Sequence, residues 1–216
     1  MSVYRFTEHG RGYKMGRTLR SWRPQFPIIL SWVDKGSKVL DVGCGDGVLG
    51  QKLLKEKNCR VYGLDLDPIG VKEAQRKGVE AKVFDFDDAL PYKSNNFDIV
   101  IASDILQYSK SPDASIREWL RVGKKLIIYF PNFGFWFYRL ELLLGHFPSL
   151  ALYGHEWWET RQTKFFTFSD FLKLPAMNKI TVTRLAGIDW KNRGVSYLAI
   201  KLPNIFARSV IIEIKK

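Results

Sequence analysis

The 216-residue chain is poor in cysteine and histidine, with two cysteines, Cys44 and Cys59, and three histidines. Two thiols supply no disulfide framework, so a buried apolar core must hold the fold, and the reducing cytoplasm is the expected compartment. No cysteine–histidine spacing suits zinc, and no metal site is expected. Apolar runs such as Leu126 to Phe130 are far too short to span a bilayer, so no membrane role is expected. The N-terminal stretch carries Arg5, Arg11, Lys14 and Arg17 with no apolar segment behind them, so no signal peptide is expected. Acidic residues are also short, 22 against 34 Lys and Arg, for a formal charge of +12. The cations are scattered rather than blocked, so the excess alone does not establish a nucleic-acid partner.

The length and the 46% hydrophobic fraction suit one α/β domain. Residues 1–20 read as a basic arm and 21–216 as a single domain. Five short apolar runs predict strands at 38–42, 60–64, 80–84, 96–102 and 124–130, with two more at 179–184 and 209–214. Helical spacing between them predicts helices over 22–33, 46–57, 69–76 and 112–121. A further helix near 165–174 is expected to be capped by Ser169. The expected architecture is Rossmann-like, a mostly parallel seven-stranded sheet with helices on both faces. Residues 131–168, which hold the densest aromatic cluster, read as a lid-like insertion leaving the fifth strand.

The turn after the first strand carries the chemistry. Asp41-Val42-Gly43-Cys44-Gly45-Asp46-Gly47 passes from strand through three alternate glycines into a helix. Such a turn lets a ligand approach backbone N–H groups at a helix N-terminus. No Lys-Ser or Lys-Thr follows, so a P-loop is excluded, and the spacing differs from Gly-x-Gly-x-x-Gly. Asp41 and Asp46 would repel a pyrophosphate. They suit a ligand with ammonium and sulfonium groups, as S-adenosylmethionine has, and the run looks like motif I of class I methyltransferases. Asp65, with Leu66 beside it, ends the second strand, where a carboxylate can accept both ribose hydroxyls. Asp67 before Pro68 reads as a helix N-cap. Asp85 and Phe86 are placed to accept from an adenine amino group and to cover its ring. Ser103 opens the segment to Gln107 that faces the methionine end of the cofactor. The expected cofactor contacts are therefore Asp41, Gly43, Cys44, Gly45, Gly47, Asp65, Leu66, Asp85, Phe86 and Ser103. Candidate general bases are His146, His155 and Tyr108, among which the sequence does not choose.

From about Ser21 the chain resembles the MetW family of methyltransferase-like proteins. The matching residues run Gly36 to Gly47, then Phe97-Asp98, Ile105-Leu106-Gln107, Leu120 to Gly123 and Phe130-Pro131-Asn132-Phe133-Gly134. Arg139, Gly145, Trp158, Thr160, Thr167 and Asp170-Phe171 follow in the family's order. Thr160 to Phe165 replace a Thr-Pro-Asn-x-His run with basic and aromatic groups. The resemblance implies a methyltransferase fold, S-adenosylmethionine as cofactor and a homoserine acyltransferase as partner. The activity expected is methyl transfer to a small or mid-sized acceptor. Binding the cofactor to regulate that partner is the alternative. RNA methylation is a third reading, and Ser103-Asp104-Ile105-Leu106 stands where an amino-methylating Asn-Pro-Pro-Tyr would be.

Overall fold

A computed structural model describes residues 23–148, 164–174, 177, 180–189 and 195–216. The N-terminal arm, His155 and the middle of the 131–168 segment lie outside these residues. Seven strands form one sheet: β1 Lys38–Val42, β2 Arg60–Asp65, β3 Glu80–Val83, β4 Phe97–Ser103, β5 Gly123–Pro131, β6 Thr181–Ile188 and β7 Ser209–Lys215. Their order is β3-β2-β1-β4-β5-β7-β6. β7 runs antiparallel to both neighbours, and the pairs from β3 to β5 are all parallel. The expected mostly parallel sheet is thus observed.

The central strands are buried along most of their length because both faces are covered, as a parallel sheet requires. One face packs on α1 (Gln25–Trp32), α2 (Val48–Lys57) and α3 (Pro68–Arg76), through Ile29, Leu53 and Ala74. The other packs on α4 (Pro112–Val122) and α6 (Phe168–Leu172), through Trp119, Leu120 and Phe171. Helices α5 (Trp136–Leu143), α7 (Tyr197–Lys201) and α8 (Pro203–Phe206) follow β5 or precede β7. α7 and α8 fill what the sequence offers only as a connection around Pro203.

Most element bounds fall within two residues of the sequence reading, and the differences have local causes. α2 begins at Val48 rather than Asp46 because Gly47 still has a left-handed backbone, φ 73°. β6 shifts towards the C-terminus and carries a bulge between Val182 and Arg184. α3 is capped as expected: the Asp67 carboxylate accepts from the Ile69 N–H at 3.0 Å. α6 is capped by Thr167, not Ser169. Thr167 Oγ1 accepts from the Asp170 N–H, and the Asp170 carboxylate accepts from the Thr167 N–H, a reciprocal box. The Ser169 N–H instead donates to Asn204 Oδ1 at 3.1 Å. Thr167→Ala should therefore lower stability by about 1 kcal/mol, and Ser169→Ala should leave it nearly unchanged, as read by urea unfolding.

Candidate functional site

Strand order reverses between β1 and β4, and in such sheets ligands lie outside the carboxyl ends of the strands flanking that point. The glycine turn sits there. Gly43 and Cys44 donate their N–H groups to the Leu64 carbonyl at 2.7 and 3.0 Å, which ties the turn to the end of β2. Asp65 completes the tie. One carboxylate oxygen accepts from the Gly45 N–H at 2.7 Å and the other from the Asp67 N–H at 2.9 Å. Each oxygen keeps a second lone pair for an incoming hydroxyl.

Gly45 adopts φ 51°, and a Cβ built on it would meet no atom within 4 Å. The middle of the turn therefore borders open space. Gly47 differs, since a Cβ there would lie 2.6 Å from the Ala74 Cα of α3. Gly47 serves helix packing, while Gly45 leaves an approach to the backbone.

The acidic groups are unusually placed. Asp41 is 3% exposed, and its carboxyl is pushed up to about 7. Burial is the main cause, the Asp65 carboxylate adds to it, and Arg23 opposes it. Asp65 is also raised by burial, which the N–H donors of Asp67 and Gly45 partly offset. A cation entering beside this pair would favour both ionised forms. Cys44 contributes only backbone, because its Sγ packs against Gly63 and lies in the core. Burial, then the charges of Asp41 and Asp65, pushes its thiol far up, so no thiolate nucleophile forms there. Leu66 is half-buried beside Asp65.

Further along the edge, Asp85 is half-buried, accepts from the Asp87 N–H at 3.0 Å and pairs with Lys110 at 3.5 Å. Phe86 does not offer the open ring face expected of it. It is buried in the core, 6.3 Å between centroids from Trp119. Both residues lie past the end of β3, and the turn that begins at Phe86 carries its ring into the core while Asp85 stays half-buried. Ser103 ends β4 opposite Tyr129, half-buried.

The next residue was not singled out by sequence reasoning. Asp104 has φ 63°, donates its N–H to the Tyr129 carbonyl, and takes the Gln107 amide on its carboxylate at 2.6 Å. Gln107 is fully buried, so this carboxylate is held by a fixed donor. Asn and Asp tolerate the left-handed region better than other non-glycine residues, which is the one sequence signal available. Ile105 then packs over Gly43, where an added Cβ would lie 2.8 Å from its Cδ1. Lys164 fastens the segment from outside, its Nζ donating to the Ser109 carbonyl at 2.6 Å.

Tyr108 lies half-buried against the core in the turn Leu106–Tyr108. His146 is exposed after α5, and its N–H donates to the Glu141 carbonyl. Among the described residues no hydrogen bond or ion pair joins His146 to the glycine turn, Asp65 or Asp104. His155 lies outside the described residues. No group of three or more metal-ligating side chains occurs among the described residues, and no described helix is long and apolar enough to cross a membrane.

A family model described as "Methionine biosynthesis protein MetW" matches residues 23–214. The chain is 28% identical over 153 residues to the bifunctional methionine biosynthesis protein MetXA/MetW of Rhodopirellula baltica, covering 66% of this chain and 25% of that one. It is 37% identical over 96 residues to norajmaline N-methyltransferase of Rauvolfia serpentina, covering 41% and 33%. The chain thus spans a third or less of the length of these two relatives. Among solved structures, magnesium protoporphyrin IX methyltransferase of Synechocystis, with bound SAH, superposes with a TM-score of 0.62 at 23% identity. That superposition covers 89% of this chain and 82% of that one. The chain belongs to the MetW family, and its sheet has the Rossmann-like fold of class I S-adenosylmethionine-dependent methyltransferases.

Proposed function

We propose that this chain binds S-adenosylmethionine over Gly43–Gly47 and transfers its methyl group to a small or mid-sized acceptor held outside the ends of β4 and β5. The observation that carries the reading is the tie between Asp65 and Gly45. A half-buried carboxylate grips the turn at 2.7 Å, beside a glycine whose outer side is open. That arrangement fits a ribose with its hydroxyls on Asp65 and the rest of the nucleoside lying across Gly45. The methyltransferase of like fold that holds SAH supports it.

The remaining roles follow from position. Asp41, beneath the turn, balances the positive charge of the ligand. Asp85 accepts from the adenine amino group. The Gln107-held Asp104 and Ser103 border the acceptor side. The sulfonium supplies an activated methyl group, so alignment in a dry pocket contributes most of what the protein must add. Asp65→Ala should raise the dissociation constant for S-adenosylmethionine by about ten- to a hundredfold, since it removes hydrogen bonds to a charged acceptor. Calorimetry with parent and variant measures it, and equal affinities would remove Asp65 from the site.

A second reading rests on the Rhodopirellula relative, whose one chain carries both a MetXA and a MetW function by its name. On that reading the domain senses S-adenosylmethionine and regulates a homoserine acyltransferase. Co-purification of the two without methyl transfer to any extract fraction would favour it.

A further inference from the structure

α5 leaves the same carboxyl edge of the sheet that bears the glycine turn, and it is apolar on the outside. Trp136, Leu140, Leu142, Leu143 and Leu144 are all exposed, Leu143 at 83% and Leu144 at 65%. α7 and α8 add exposed Tyr197, Leu198, Leu202 and Ile205. A cavity of about 310 Å³ joins the two stretches, lined by Arg139 of α5, Phe168 and Ser169 of α6, and Lys201 to Ile205. No acidic residue lines it. Arg139 donates its Nε to the Gly134 carbonyl at 2.7 Å, and neither it nor Lys201 has an acidic partner among the described residues. Lys201 lies 5.9 Å from the Tyr197 ring centroid.

We propose that this face docks on an anionic lipid surface. Leu142–Leu144 and the outer residues of α7 and α8 enter the acyl boundary, while Arg139 and Lys201 take a lipid phosphate at the mouth of the cavity. Two features favour lipid over a protein groove. Leu142, Leu143 and Leu144 are consecutive, and successive helical residues are turned by about 100°, so together they point around most of the helix end. Trp136, Leu140, Leu143 and Leu144 share one face at a spacing that a groove also accepts, but Leu142 and the outer residues of α7 and α8 widen the apolar surface beyond that face, which a fluid apolar layer receives and a groove does not. Cations with no acidic partner among the described residues, set among exposed apolar residues, also match the pattern of peripheral membrane helices. The net charge of +12 adds long-range attraction to an anionic surface.

The test is co-sedimentation of the full chain with vesicles of phosphatidylcholine alone and with about 30% phosphatidylglycerol, and it does not depend on cofactor binding. The proposal expects binding to the anionic vesicles at least about tenfold tighter than to the neutral ones, weakened by salt. Leu143→Ser with Leu144→Ser, and separately Arg139→Glu with Lys201→Glu, should each reduce it by about tenfold or more, with unchanged thermal unfolding. Equal binding to neutral vesicles, or variants that bind like the parent, would overturn it. So would a parent that ignores both vesicles, and concentration-dependent dimers in that case would assign the face to protein contact. Should either variant unfold, the parent's lipid and salt dependence still decides.

Discussion

The difference in unfolding free energy between the parent and Asp41→Asn is expected to change by about 4 kcal/mol between roughly pH 4 and pH 8. The parent loses stability relative to the variant as pH rises. Below the ordinary carboxyl value of 3.8 the Asp41 group is protonated in both folded and unfolded chains, and its contribution is full. As pH rises the unfolded chain ionises first, while burial keeps the folded carboxyl protonated until about 7. The stability contribution therefore drains through this window and is gone above it. Carboxylates held low, such as Asp98 by Lys124 and Lys38 and Glu118 by Arg121, act in the opposite sense, but they are common to both proteins and cancel. Urea unfolding followed by circular dichroism in steps of pH measures the difference, and parallel profiles would show that Asp41 does not titrate in this window. On the proposed function the same proton opposes the cofactor. S-adenosylmethionine should bind more weakly below pH 7, with proton release on binding, and Asp41→Asn should lose that pH dependence.

How far the sequence carried is clearest residue by residue. β1, β2 and their crossover helices were legible because short, mostly apolar runs between turn signals allow little else, and Asp65 stood at a strand tip by simple counting. The Thr167 cap was not, because both Thr167 and Ser169 can cap a helix, and only the reciprocal bond with Asp170 decides between them. α7 and α8 have five and four residues, too few for a helical period to show. At the site, an aromatic after an acid suggests stacking, whereas the turn after β3 packs Phe86 against Trp119. Asp104 was passed over because a left-handed backbone is a property of conformation, and its restraint comes from Gln107 three residues on. Cys44 was assigned as a whole residue, yet its N–H is taken by the Leu64 carbonyl and its Sγ packs against Gly63. These differences share a cause: composition places a residue in a segment, while its direction is set by the neighbours it packs against.

Two glycines of the same turn should respond oppositely to the same substitution. Gly47→Ala is expected to lower stability by about 2–5 kcal/mol, combining a left-handed backbone for an alanine with overpacking. The new Cβ would stand 2.6 Å from the Ala74 Cα and 2.7 Å from its Cβ, and Ala74 is fully buried on α3. Neither neighbour is the end of a flexible side chain, so α2 and α3 must move apart. Gly45→Ala meets no atom, and it should lose only the backbone component, about 1–2 kcal/mol. Its effect should fall on the ligand instead. The added methyl projects into the space assigned to the nucleoside, and affinity for S-adenosylmethionine should drop by about tenfold or more, the equivalent of 1.4 kcal/mol or greater. Urea unfolding and calorimetry on both variants separate the two roles. If Gly45→Ala bound the cofactor as the parent does, the ligand would not cross the turn at Gly45, and the glycines would serve the fold alone.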